Sequence, residues 1–176
     1  MGYTQQATHT TSRTGRNLDI ILTEAQAGRF WDKVDKTGEC WNWTGAKKAA
    51  GYGQLAVNKR MLIAHRVSYT LANGQIPDGV HIDHRCHNKS CVNPAHLRPA
   101  TQKQNNENPG VLRSDNTSGY RGVTWDPKNK KWVATVFNLG KTVHVGRFSS
   151  IEHARDAAIE KRNELFTHND LDKRAA

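Results

Sequence analysis

From Asp83 to Asn105 the chain reads Asp-His-Arg-Cys-His-Asn-Lys-Ser-Cys-Val-Asn-Pro-Ala-His-Leu and closes on Gln-Lys-Gln-Asn, with two of its three cysteines inside the run. Side chains this polar, at this density, are poor packing material; most are metal ligands, proton carriers or both. Cys86 and Cys91 alone would be a weak zinc signal. With His96 five residues after Cys91, and the third cysteine at Cys40, they make a Cys3His set. That is the closed tetrahedral combination of structural Zn2+; the competing explanation is three buried thiols and a surface histidine. A zinc without an open position does no chemistry, so a reaction requires a second site. Asp83 and His84 end a β run, and adjacent strand residues point to opposite faces and can bracket one position. A carboxylate that holds Mg2+ or another divalent cation, next to an imidazole of pKa about 6.5, suits hydrolysis of a phosphodiester. Asn105 offers a neutral oxygen as a second cation ligand. As an isolated dipeptide, Asp83-His84 is better explained as a turn cap beside a solvated histidine.

The elements that must position these residues are legible in part. Thr23 and Gln26 form a capping box that opens a helix, with Leu22 stapled to Ala27 and Phe30, Trp31 and Val34 on its apolar side. Glu39–Thr44, Gly51–Val57 and Met61–Ala64 read as strands, and Ala64–Ala72 as a short helix stopped by Asn73-Gly74. Val80–His84 is the β run that enters the ligand-rich segment. From Thr101 to Ser118 the composition turns to Gln, Asn, Gly, Pro and Ser, marking a boundary. Beyond it, Tyr120–Trp125, Trp132–Phe137 and Lys141–Gly146 read as three strands joined by short turns. A second capping box, Ser149-x-x-Glu152, opens a helix with Ile151, Ala154, Ala158, Leu165 and Phe166 on one stripe.

The 176 residues carry 26 Lys+Arg against 16 Asp+Glu, a formal charge of +10, with a pI near 9.8 and mean hydropathy −0.78. Apolar content is thin for one large core, which favours small units that need a metal or a partner surface. Nucleic acid is the commonest partner for such a charge. No stretch is long and apolar enough to span a membrane, and the N-terminus lacks the apolar core of a signal peptide, so an intracellular setting is expected.

The run Ala64-His65-Arg66 … Ile82-Asp83-His84-x-Cys86-x4-Cys91-Val92-Asn93-Pro94-x-His96-Leu97 … Asn105 resembles the HNH endonuclease family, in particular its phage-type homing members, whose ββα-metal site is shared with His-Cys box enzymes. The resemblance implies that His84 is the general base and that Asp83 and Asn105 hold the catalytic cation. It implies likewise that Cys40, Cys86, Cys91 and His96 bind Zn2+. His96 stands where the family's lettering usually has Asn, in keeping with a zinc-bearing member; Asn93-Pro94 reads as a turn. The resemblance also implies an arginine near the scissile phosphate, and Arg66 takes that role, with His65 and Arg60 as neighbours that could share it.

Ser118-Gly119-Tyr120-Arg121-Gly122-Val123-x-Trp125 … Lys131-Trp132-Val133-Ala134 … His144-Val145-Gly146-Arg147-Phe148 resembles an AP2 DNA-binding domain, a family whose sheet lies in the major groove. Alternation turns Ala134, Val136, Val143 and Val145 to the helix, and Thr135, Phe137, Thr142 and His144 away from it. Arg121, Lys131 and Arg147 are expected at phosphates or guanine. Positions that read bases through Arg, Glu and Trp in the better-known plant members are here Thr124, Thr135, Phe137, Thr142 and His144.

The expected fold class is α+β: a small zinc-stabilised ββα-metal nuclease domain plus a three-stranded antiparallel sheet with one helix. The expected divisions are a disordered basic arm (1–17), the HNH domain (18–106), a linker (107–117), the AP2-like domain (118–168) and a tail (169–176). The expected activity is Mg2+-assisted hydrolysis of double-stranded DNA in the cytoplasm of a bacterial host, by a phage- or mobile-element-encoded homing endonuclease. Homodimerisation is left open. The alternative is a non-enzymatic DNA-binding regulator with an inactive HNH-like domain.

Overall fold

A computed structural model describes residues 19–174; the expected basic arm lies outside them. The order of elements is α1 (Glu24–Trp31), β1 (Val34–Asp35), β2 (Asn42–Trp43), β3 (Gln54–Val57), β4 (Arg60–Ile63), α2 (Ala64–Asn73), β5 (His81–His84), β6 (Leu97–Ala100), α3 (Gln102–Glu107), β7 (Val123–Asp126), β8 (Lys131–Asn138), β9 (Lys141–Phe148), α4 (Ile151–Leu165) and α5 (Asp170–Arg174). The described residues form a mixed α+β fold of three two-stranded sheets and one three-stranded sheet, all antiparallel.

The Thr23/Gln26 capping box opens α1 as expected, but the helix ends at Asp32. Val34 therefore leaves the helix and pairs with Trp43 as β1–β2. Phe30, Trp43, Ala64, Val67 and Val92 form the first core, on which Trp31, Trp41 and Leu62 pack. Trp43 donates its main-chain N–H to Ser90 (2.8 Å) and Val92 donates to Trp41 (2.7 Å), so residues 41–43 run beside residues 90–92. That pairing brings the loop bearing Cys40 to the segment after His84.

β5 and β6 form a hairpin, and α3 follows it directly, giving a β-β-α unit. A capping box opens α3, with Thr101 accepting from Gln104 and Gln104 reaching back to Thr101. The same sequence signal as at Thr23 lay inside the polar run that composition reads as a boundary.

In the C-terminal half β7-β8-β9 form a meander with α4 across one face; Val123, Ala134, Ala154 and Ala158 are its core. Ser150, rather than Ser149, caps α4, and the stripe expected to include Leu165 buries Arg162 instead. Arg162 is held by Asp172 in α5 and donates to the Arg121 carbonyl. Gly122 has φ 77, accepts the Thr135 N–H at 2.8 Å, and a Cβ there would lie 2.3 Å from the Thr135 carbonyl oxygen. Only glycine fits that approach, which explains the glycine of Tyr-Arg-Gly-Val.

Candidate nuclease site and DNA face

The ligand-rich segment resolves into two clusters that share a wall. In the first, one ligand atom each from Cys40, Cys86, Cys91 and His96 lies within 4.8 Å of the others. The Cys40 and Cys91 sulfurs each stand 3.6 Å from His96 Nδ1. Donors bound to one tetrahedral Zn2+ at about 2.0–2.3 Å stand about 3.5–3.8 Å from one another, so the cluster fits that ion. The Cys91 thiol, hydrogen-bonded to Cys86, draws the Cys86 pKa down to about 5, while the same bond pushes Cys91 up. A 3₁₀ turn, Pro94–His96, capped by the Asn93 side chain, presents the histidine.

The second cluster lines a cleft of about 190 Å³, bounded by Tyr52, Asp83, His84, His87, Lys89 and Asn105 together with Asn108 and Gly110. β5 supplies Asp83 and His84, both buried, and α3 supplies Asn105. His84 Nε2 lies 3.0 Å from the Cys91 carbonyl oxygen. A carbonyl can only accept, so Nε2 carries the hydrogen and Nδ1 keeps the lone pair of a base. Burial lowers the His84 pKa, against the opposing effect of that carbonyl. Cys91 therefore serves both clusters: its sulfur belongs to the first, and its carbonyl fixes the tautomer in the second. The His65 ring meets His84 edge-on at 4.5 Å, and Tyr52 is 6.0 Å from His84. Burial drives the His65 pKa well down, so a neutral ring faces His84.

Asp83 pairs across the hairpin with Arg98. Its Oδ2 accepts from Arg98 Nε (3.1 Å) and Nη2 (2.9 Å) and from Asn108 Nδ2 (3.0 Å). Among the described residues Oδ1 carries no hydrogen bond, so one carboxylate oxygen remains for a hard cation, with the Asn105 amide on the same cleft. This donor set fits a divalent ion that keeps most of its positions for water and phosphate.

Asp83, His84 and Asn105 of this cleft are legible in the sequence, whereas Tyr52, His87, Lys89 and Asn108 are not, apart from the hint of Lys89 as a cation next to Ser90-Cys91. Arg66 is placed differently. Its guanidinium donates to the Val80 carbonyl (3.3 Å) and lines a separate recess with Asp19, Thr70 and Asp78. Lys89, 5.6 Å over the Tyr52 ring, is the cation among the lining residues.

On the three-stranded sheet, Thr124, Thr142 and His144 are exposed, and Phe137 is 68% exposed. The register pairs Thr135 with His144, Phe137 with Thr142, and Val133 with Arg147, so these share the face opposite α4. Simple alternation would turn Arg147 to the same side as Val145, toward the helix. A bulge between Ala134 and Thr135 absorbs one residue of β9 and returns Arg147 to the outer face, 3.6 Å from Asp126. Lys131 on the same face donates to Ser149 (2.7 Å). Arg121 is held by its own partners: its guanidinium donates to the Glu107 carbonyl (2.9 Å) and packs over Phe166, on the wall of a cavity it shares with Thr135, Phe137 and Thr142.

Residues 63–107 match the family model described as HNH endonuclease, and residues 118–168 the one described as AP2 domain. The chain is similar to Protein 7.7 of Escherichia phage T7, 38% identical over 69 residues that make up 39% of this chain and 53% of that protein. It is also similar to Protein 3.8 of the same phage, 38% identical over 77 residues, 44% of this chain and 63% of that protein. An uncharacterized HNH endonuclease of Acanthamoeba polyphaga mimivirus is 32% identical over 103 residues, 58% of this chain and 52% of that protein. The chain spans about half of the length of the curated relatives it matches. No solved structure matches. The chain carries an HNH endonuclease domain followed by an AP2 domain. Among the described residues, no helix is long and apolar enough to cross a membrane.

Proposed function

We propose that this protein is a DNA endonuclease that hydrolyses phosphodiester bonds in the cleft of Asp83, His84 and Asn105 and is targeted by its AP2 sheet. The observation that carries this reading is His84, whose Nε2 is committed to the Cys91 carbonyl so that Nδ1 is free to take a proton. His84 deprotonates a water that attacks phosphorus in line with the departing 3′ oxygen, leaving a 5′-phosphate and a 3′-hydroxyl. Asp83 and Asn105 hold a divalent cation, Mg2+ under cellular conditions, which supplies charge stabilisation for the phosphoryl and leaving oxygens. Lys89 contacts the phosphate from the cleft wall, with Arg66 as the second candidate for that clamp. Cys40, Cys86, Cys91 and His96 bind Zn2+, which keeps the Cys91 carbonyl in place.

The duplex lies on the face of Thr124, Lys131, Thr135, Phe137, Thr142, His144 and Arg147, while Arg121 anchors the module to the α3 carbonyls of Asn106 and Glu107. Lys131 and Arg147 meet phosphates, and the hydroxyl, methyl and ring groups between them meet base edges. A homing role in a phage-infected bacterial cytoplasm fits the phage relatives, and a homodimer would give each strand its own site. Cleavage of a random-sequence library with Mg2+, followed by sequencing of the cut ends, tests the reading. Recurrent ends with 5′-phosphates support it. Sequence-selective binding with no cut at any Mg2+ concentration identifies the protein as a regulator instead.

A further inference from the structure

Asp170, outside both matched domains, opens α5 and reaches the nuclease cleft by two routes. Its carboxylate takes Arg98 Nη2 on one oxygen and Nη1, at 3.3 Å, on the other. Its main-chain N–H donates to Asn108 Oδ1 at 3.3 Å. Arg98 and Asn108 are the two residues whose side chains hold Asp83 Oδ2. All three side chains of the ion-pair chain are largely buried, with 7% exposure at Asp83, 19% at Arg98 and 16% at Asp170.

We propose that Asp170 is a positioning residue of the nuclease site, which orients Asp83 through Arg98 and Asn108 and leaves the group around that carboxylate with the net negative charge a divalent cation requires. The proposal rests on the assignment of Asp83 as a cation ligand. The physical reason is charge. One guanidinium serves two carboxylates, so the trio keeps one net negative charge. Without Asp170 the full guanidinium charge falls on Asp83, and the neutral pair that results attracts a divalent cation less. The C-terminal segment, which the sequence presents as a tail, thereby becomes part of the site. Because α5 follows α4 directly, it also fastens the AP2 unit to the residue that would hold the metal.

The test uses the full zinc-loaded chain without DNA and follows Mn2+ binding by the paramagnetic resonance of the free ion. Asp170→Asn is expected to raise the Mn2+ dissociation constant roughly three- to tenfold, with zinc content unchanged. Arg98→Gln, which leaves two carboxylates without their cation, is expected to shift it the other way. In cleavage assays Asp170→Asn should raise the Mg2+ concentration for half-maximal rate by a similar factor while DNA affinity stays constant. A merely structural contact would weaken binding in both variants or in neither, and either result overturns the proposal. If Asp170→Asn does not fold, the direction of the Arg98→Gln shift decides: tighter supports, unchanged or weaker contradicts. A parent chain that binds no Mn2+ contradicts the Asp83 assignment and this proposal together; a parent that binds, with an unaltered Asp170→Asn, contradicts this proposal alone.

Discussion

At the scale of single residues, the proposed chemistry turns on which nitrogen of His84 carries the hydrogen. The Cys91 carbonyl decides it, and Cys91 is also a donor of the metal-competent cluster. Burial lowers the pKa of His84 and, further, of His65. His84 thus remains an unprotonated base below the ordinary histidine value of 6.5, and is lost only as pH falls through its own lowered value. The acid limb of the cleavage rate should fall below that of a free histidine, as a pH–rate profile at saturating Mg2+ will show. Stability follows the same sign. The unfolded chain takes up these two protons near 6.5 while the native chain resists, so the stability present above 6.5 drains away as pH falls below it. Denaturant midpoints measured between neutral and mildly acidic pH should decline, and Phe in place of His65 should flatten the slope.

At the scale of elements, Gly122 is a position of the AP2 meander that admits no side chain. Alanine there meets the Thr135 carbonyl and an unfavourable φ, so Gly122→Ala should cost more than about 2 kcal/mol and lower the thermal midpoint, with zinc content of the N-terminal half unaffected. Such local requirements were legible in part. The capping box at Thr23, the glycine stop after α2 and the β run into His84 are signals within a few residues, and the chain obeys them. The box at Thr101 is the same signal, hidden by the polar composition around it. Arg147 reaches the outer face because of a bulge that exists only once β8 and β9 are paired. Arg162 could not be read as buried, since its partner Asp172 lies beyond the break in α4. The cysteine spacing was legible because four zinc-competent side chains are rare; the cleft walls Tyr52 and Lys89 are ordinary residues whose meaning comes from placement.

At the scale of the whole molecule, one loop segment carries donors of the metal-competent cluster and walls of the cleft, and the C-terminal half bonds to α3 beside them. Glu107, buried at the end of α3, accepts from the Thr167 and His168 N–H groups, and Arg121 donates to its carbonyl. These bonds cross from the HNH domain to the AP2 domain at the start of the segment that composition presents as a linker. Removing zinc and removing magnesium should therefore differ in kind. A strong zinc chelator should unfold the N-terminal half, seen as loss of Trp43 burial in fluorescence, because that core is small and Cys40 is tied to it through the cluster. Withholding Mg2+ should leave the fold intact and stop cleavage. The most direct measurement is nicking of supercoiled plasmid in Mg2+ by the parent chain and by His84→Ala, with DNA affinity measured for both. The expected result is cleavage by the parent, a loss of about 10²- to 10⁴-fold in the variant, and equal affinity; undiminished cleavage by His84→Ala would contradict the assignment of His84 as the base.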